Sequence, residues 1–487
     1  MSLHRSFSPW FMGLTFCGAS HVLAIAGVDK PPAPSAPHAI SFAQPKEMTL
    51  ENGLRVIVAE RPDLPVIAAY LLIRRGAEVD PAGLAGAASL TGSLLTKGTA
   101  KMSAPEIAEA IESLGGSISS GAGWDSASAT IAVMSDNAAP ALAILADVVL
   151  HPAFQQEEID RLKRQRTDGI RVALQQPGSL ASYVTTRVVF GDTAYGHPVG
   201  GTIESLRAIR RDDIVKLYEA SYAPANATLI FSGNLTAAQG RGYAEKFFGQ
   251  WKGRAPAAKE SAPVVAKDDW KPSHLVIDMP QAGQAAVVIA KPAIKRNVPE
   301  YYAGMVANAA LGNGFVSRLN QEIRIKRGLS YGAHSALETR RDAGPFAASA
   351  QTKNESGAEV AGLLQGELRR LVSEPVTGDE LKSRKAVLTG SYARAMETNS
   401  GFAGQIASLT TYGLPLATID HYIADVEAVT AENVTAFAEK YLATPASLVI
   451  VGKAAAFLEP LKKAFPDVRV IPQDELDLNR ADLLKAK

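Results

Sequence analysis

One stretch of this chain is written twice. Asp213–Gly233 (DIVKLYEASYAPANATLIFSG) and Glu432–Gly452 (ENVTAFAEKYLATPASLVIVG) align without gaps at an offset of 219 positions. Each opens with an acidic residue on an amphipathic helical pattern. Each then runs through a Tyr (Tyr222, Tyr441), a Pro-containing turn (Pro224, Pro445) and an apolar strand closed by Gly. A repeat at this spacing means that one supersecondary layout is built twice. The flanking sequence agrees. In the first half, Leu54–Ala59 follows an Asn52-Gly53 turn and precedes Val66–Arg74, and the two runs are expected to pair as a hairpin. In the second half, His274–Met279 and Ala285–Lys291 take the same places. Helical stretches follow each pair, at Ala87–Leu95 and Tyr301–Leu311. Ser103 and Glu106 have capping-box spacing with Pro105 between them. Ile107, Ile111 and Leu114 then share one face, and Gly115-Gly116 ends the helix. Glu157–Gln176 reads as a long helix stopped by Pro177. The expected fold is an α/β sandwich, made twice.

Composition narrows the functional classes. Of 487 residues, 47% are hydrophobic and 20% charged, which suits a soluble protein with more than one core. Lys and Arg total 50 against 49 Asp and Glu, so no basic excess draws the chain to nucleic acid or acidic lipid. His4 and Arg5, the apolar run from Trp10 to about Ile25 and the Ala24-Ile25-Ala26 pattern read as a secretory signal over residues 1–26. Cleavage near Ala26 places the mature chain in the periplasm or outside the cell; the alternative is a retained anchor. Residues 27–43, with KPPAPSAP at Lys30–Pro37, read as a Pro-rich leader. Cys17 is the only cysteine and lies in the signal, after a Phe16 too bulky for a lipoprotein site. The mature chain therefore has no disulfide and no thiolate metal site, and no later apolar run is long enough to span a membrane. The expected divisions are a first domain at 44–250, a linker at 251–270 rich in Ala, Pro and Lys, a second domain at 271–470 and a polar tail at 471–487.

NGLRVIVAERPDLPVIAAYLLIRRGAEVDPAGLAGAASLTGSLLTKGT, at Asn52–Thr99, resembles the opening of the M16 peptidases, the family of pitrilysin, insulinase and mitochondrial processing peptidase. YGHPVGGTIESLRAI and SRLNQEIRIKRGLSYGAHS carry the likeness further, and it runs from about Gln44 to about Phe465. The resemblance implies two homologous domains of the LuxS/MPP-like metallohydrolase type, each a mainly antiparallel sheet packed with helices. It also implies a zinc motif, HxxEH, on the first helix. Two His four apart on one helical face ligate Zn²⁺, and the Glu takes a proton from the bound water. A further Glu some eighty positions on completes the ligands. Aligned on LLTKGT, the motif falls on Ser89, Leu90, Thr91, Gly92 and Ser93. Both His are replaced by Ser89 and Ser93, and the Glu by Gly92. The third ligand falls near Asp168–Ile170, where there is no Glu. No His lies between His38 and His151. The chain is therefore expected to bind no metal and no other cofactor. Ser89 or Ser93 as a nucleophile would need a base within hydrogen-bond reach and an elbow-like setting; small residues packing a helix are the plainer account.

The same resemblance keeps a second feature. Active members hold the substrate backbone with an Arg and a Tyr from the second half, and the matching residues are Arg324 and Tyr331. Phe315–Arg327 reads as an amphipathic helix with Val316, Leu319 and Ile323 on one stripe. Gly328 caps it, and Leu329–Ser335 returns as a strand. Arg offers a permanently charged fork of donors and Tyr a phenolic O–H, both suited to a peptide carbonyl or an oxyanion. The plain alternative is a surface Arg in a basic cluster with Lys326 and Arg327. Gly312-Asn313-Gly314 matches a glycine-rich loop that touches substrate in one family member, or is simply a turn. His197-Pro198 reads as a structural turn. The first functional expectation is a non-catalytic, substrate-binding subunit of a heterodimeric M16 peptidase, with zinc on an HxxEH partner subunit. The others are a peptide-binding scaffold with no peptidase partner, and a self-sufficient metallopeptidase with unfamiliar ligands.

Overall fold

A computed structural model describes residues 42–253 and 270–486. The expected signal, nearly all of the leader and most of the linker lie outside the described residues. The first half forms strands β1 (Lys46–Thr49), β2 (Arg55–Glu60), β3 (Val66–Ile73), β4 (Ser117–Ala122), β5 (Ala127–Met134) and β6 (Ala227–Gly233). The second half forms β7 (His274–Asp278), β8 (Ala285–Pro292), β9 (Ala333–Leu337), β10 (Pro345–Thr352), β11 (Ser447–Gly452) and β12 (Arg469–Pro472). They make two six-stranded sheets, ordered β1-β2-β6-β3-β5-β4 and β12-β7-β11-β8-β10-β9. The repeat is therefore structural: β2, β6, β3, β5 and β4 take the places of β7, β11, β8, β10 and β9. Each sheet is mainly antiparallel, with β2 running parallel to β6, and β7 parallel to both β11 and β12.

The expected hairpins do not form. Neither β2 and β3 nor β7 and β8 are neighbours, because the closing strand of each repeat, β6 or β11, inserts between them. Those two strands are buried along their whole length, and each holds one of the two central slots of its sheet. The Asn52-Gly53 turn instead joins β1 to β2, with Gly53 at φ 88°.

Alternate residues of the central strands feed different cores. Val56 and Val58 pack inside the first half, while Ile57 and Ala59 point into the core of the second. Val287 and Ile289 face the second half's own helices, while Ala286, Val288 and Ala290 face a third cluster. The covers on these outer faces are exchanged. Helix Pro177–Phe190, from the first half, lies on β8 and β11 through Leu180, Ala181 and Val184. Helix Asn399–Thr411, from the second half, lies on β3 and β6 through Phe402, Ile406 and Leu409. Asn399 Nδ2 donates to Val66 O at 2.8 Å, and Arg61 donates to Thr398 O at 3.1 Å, fixing the second cover at its entry.

Residues 471–486 are not a polar tail. Ile471, Leu478 and Leu483 are buried in the same cluster as helix Pro177–Phe190. Arg187 donates to Leu478 O at 3.1 Å, and Gln473 Nε2 donates to Leu174 O at 3.0 Å. Three apolar side chains spaced among polar ones suffice to seat this segment across both halves.

Candidate functional site

Helix Ala87–Leu94 carries the positions aligned with the zinc motif. Gly86 enters it at φ 91°, and the Asp80 carboxylate accepts the N–H groups of Gly86 and Ala88, each at 2.7 Å. An acid at a helix N-terminus satisfies donors that have no partner within the helix. Burial pushes Asp80 up to about 7 against the pull of those two hydrogen bonds. The helix then packs on edge strand β4 so closely that a Cβ at Gly92 would lie 2.6 Å from the Gly121 backbone carbon. No side chain fits at Gly92 unless helix and strand part.

Arg166 fills the space beside Ser89 and Ser93. It sits on helix Gln156–Ala173, on the stripe formed by Ile159, Leu162 and Ile170. One of its terminal nitrogens donates to Ser93 Oγ at 2.7 Å and to Ser89 O at 2.9 Å. Its other terminal nitrogen is buried without a hydrogen-bond partner. Burial lowers the Arg166 pKa from its ordinary value, and Asp80 opposes that shift. Asp168, in the third-ligand window, is exposed and pairs with Arg171 at 2.8 Å, and Ile170 is a core residue. Among the described residues, no three His, Cys, Asp or Glu side chains stand close enough together to hold a metal ion. The residues at these positions do not fit zinc: one glycine, two hydroxyls and a guanidinium that already occupies the hydroxyl of Ser93.

The second-half residues are arranged in the opposite way. Leu319 and Ile323 are buried as expected, but Val316 is exposed. Phe315–Ser317 form a turn, and helix starts only at Arg318, with Asn320–Lys326 wound as a π-helix. Gly328 at φ 63° closes it, its N–H donating to Arg324 O at 3.1 Å. The returning strand begins at Ala333, so Tyr331 stands on the connection ahead of β9 and is 96% exposed. Arg324 and Tyr331 are brought together, with the guanidinium carbon 6.0 Å from the Tyr331 ring centre and 4.5 Å from that of Phe315. Lys326 and Arg327 both pair with Glu322, at 3.0 and 2.6 Å, and Arg318 pairs with Glu380 at 2.9 Å. Arg324 has no acid partner among the described residues. The basic cluster is thus three ion-paired side chains and one free guanidinium.

Gly312 is held by packing: a Cβ there would collide with Ser335 on β9. Asn313 is exposed, and Gly314 is open at φ 108°. His197 is a structural turn residue, its ring nitrogens 3.1 Å from Pro198 O and 3.2 Å from Ala77 O.

Residues 55–202 match the family model for insulinase, peptidase family M16, and residues 208–388 match that of the peptidase M16 inactive domain. The chain belongs to peptidase family M16. Its relatives include an uncharacterized zinc protease of Streptomyces coelicolor, 27% identical over 84% of this chain and 89% of the relative. The uncharacterized zinc protease YmxG of Bacillus subtilis is 24% identical over 83% of this chain and 98% of the relative. A solved peptidase M16 inactive domain from Pseudomonas fluorescens superposes with a TM-score of 0.78 at 29% identity, covering 84% of this chain and 98% of that one. A protease from Helicobacter pylori shares the fold, with a TM-score of 0.76 at 19% identity over 84% of this chain and 100% of that one.

Within this M16 frame, sequence reasoning missed two residues at the site. Arg166 was legible as a cation on an otherwise apolar helical stripe. Phe315 was read into a helix and so escaped notice as a partner of Arg324. A third omission joins the halves. Arg341, in the β9–β10 turn, donates to Glu78 at 3.1 Å and to Asp125 O at 2.6 Å, while its backbone N–H donates to the Asp125 carboxylate at 2.9 Å. Tyr195 also donates to Asp125. Beside it, Arg340 lies against the rings of Trp124, Tyr195 and Phe190 at 4.2, 4.8 and 5.0 Å.

Proposed function

We propose that this chain is the non-catalytic, substrate-binding subunit of a two-chain M16 zinc peptidase. A partner subunit with an intact HxxEH motif carries the zinc, which supplies the activated water. Arg324 and Tyr331 hold the peptide backbone at that site through the guanidinium fork and the phenolic O–H. The observation that supports this reading is the contrast between the two cations. Arg166 is turned inward onto Ser89 and Ser93, whereas Arg324 has no acid partner among the described residues and lies beside a fully exposed Tyr331. An unpaired guanidinium next to an exposed phenol is a recognition surface with its donors free. The zinc-protease names of the relatives fit this assignment. Export is part of the proposal: the secretory signal directs the chain to the periplasm or outside the cell, and N-terminal sequencing of the mature protein should begin near Gly27.

The test is reconstitution. Adding the purified chain to an HxxEH-bearing M16 partner should raise peptide cleavage well above that of the partner alone. Arg324→Ala and Tyr331→Phe should each cut that gain by at least about tenfold, as loss of an oxyanion or carbonyl donor does elsewhere, while co-elution with the partner persists. No gain on mixing would end the proposal. It would leave the scaffold reading, under which the isolated chain binds peptides and the two variants change no cleavage.

A further inference from the structure

We infer that Phe315 is the third member of the clamp: it positions Arg324 and selects a bulky apolar side chain in the bound peptide. This rests on the reading of Arg324 and Tyr331 as a peptide clamp. Phe315 is 58% exposed on the turn after Gly314, and its ring lies 4.5 Å from the Arg324 guanidinium carbon. With Tyr331 at 6.0 Å, the guanidinium has two aromatic neighbours and, among the described residues, no acid partner. A guanidinium stacked on a ring gives up rotamer freedom but keeps its in-plane N–H donors open. Phe315 thus fixes where Arg324 presents its fork.

The turn is not a loose tip. Gly314 O accepts from Asn320 Nδ2 at 3.0 Å and from the Ser317 N–H at 3.2 Å. The buried Asn320 turns its other side-chain atom to the Ala333 N–H, at 3.0 Å, two residues beyond Tyr331. One amide therefore ties the turn carrying Phe315 to the segment carrying Tyr331. The exposure is also concentrated: of eight large apolar side chains exposed among the described residues, four are Phe315, Val316, Ile325 and Tyr331. Single exposed apolar residues are ordinary, but a group of them around an unpaired donor is a recognition surface. A peptide whose carbonyl meets the Arg324 fork lays a neighbouring side chain near Phe315. An apolar side chain there leaves water. A Lys or Arg meets like charge, and an amide loses hydration without a partner.

The test uses the full chain alone and fluorescence anisotropy with short fluorescein-labelled Gly/Ser peptides carrying one central Phe, Leu or Gln. The Phe and Leu peptides should bind at least about fivefold more tightly than the Gln peptide. Phe315→Ala should abolish that preference with an unchanged melting profile, and Phe315→Trp should restore it. Arg324→Ala should weaken all three peptides together while leaving their order. Equal binding of the three peptides, or a preference that survives Phe315→Ala, overturns the role of Phe315 and leaves the clamp standing. Binding that is indifferent to Arg324→Ala, or no binding of any peptide, overturns the clamp and this inference with it.

Discussion

In both halves the first helix after the early strands meets the sheet's edge strand at a glycine: Gly92 against β4 and Gly312 against β9. An arginine bears on each region: Arg166 on Ser89 and Ser93, and Arg324 on Phe315, three residues past Gly312. In the first half Arg166 is consumed by the contact, bonded to the helix it touches. In the second half Arg324 is half-buried and lies beside two exposed aromatic rings. The same frame thus carries two outcomes, and the difference lies in where each cation finds its partners. An inward guanidinium is architecture; an outward one without an acid is available to a ligand.

The comparison breaks most sharply at Gly92. Gly92→Glu, which puts an acid at the position aligned with the motif's Glu, should cost about 3 kcal/mol or more, because even its Cβ meets backbone 2.6 Å away. Chemical denaturation measures this, and a variant as stable as the parent would show that the first half is not closed. Restoring all three positions, with Ser89→His and Ser93→His added, should still give no stoichiometric zinc by elemental analysis. Arg166→Ala should cost about 2 kcal/mol, since it leaves Ser93 unpaired and the buried Asp80 without a nearby cation.

A smaller effect tests the junction of the halves through pH. Burial, with Asp125 nearby, pushes Glu78 up to about 7, although Arg341 and the Gly76 N–H pull the other way. In the unfolded chain Glu78 ionises near 4.5. Between those values the folded protein holds a proton that the unfolded chain has released, so the stability contributed by Glu78 is full below about 4.5 and is lost as pH rises through about 7. Glu78→Gln should flatten that decline, by about 2–4 °C in Tm between acid and neutral buffer. Asp80, raised for the same reason, should account for slope that remains. The smallest stability change belongs to the other side of the comparison. Arg324→Ala should shift stability by no more than about 0.5 kcal/mol, and a loss as large as that of Arg166→Ala would erase the distinction drawn between them.

Much of this was legible in the sequence for one physical reason: the repeat records local pattern. The offset of 219 carries Arg55 to His274 and Val66 to Ala285, the first residues of matching strands. The Ser103–Glu106 capping box formed where its spacing placed it. The positions aligned with the zinc motif, Ser89, Gly92 and Ser93, could be named because the neighbouring LLTKGT sets the register. Long-range choices were not readable. Nothing near β2 and β3 reveals that β6 will come between them, since strand order depends on where a distant apolar run finds its best burial. The exchanged helices were missed because apolar residues on a helix do not say which sheet they will cover. The start of the helix that carries Arg324 was misplaced at Phe315 because Phe315 and Val316 look apolar enough to continue it, yet both remain in water.

The exchanged covers have a consequence for how the chain behaves as a material object. Each sheet is roofed by a helix that belongs to the other's stretch of sequence, so each half is the lid of its counterpart. A half-chain produced alone would show water a stripped β-surface and a homeless amphipathic helix, and should aggregate. The two half-chains produced together should find each other and co-purify, and a covalent break between residues 253 and 270 should leave one particle that melts in one step.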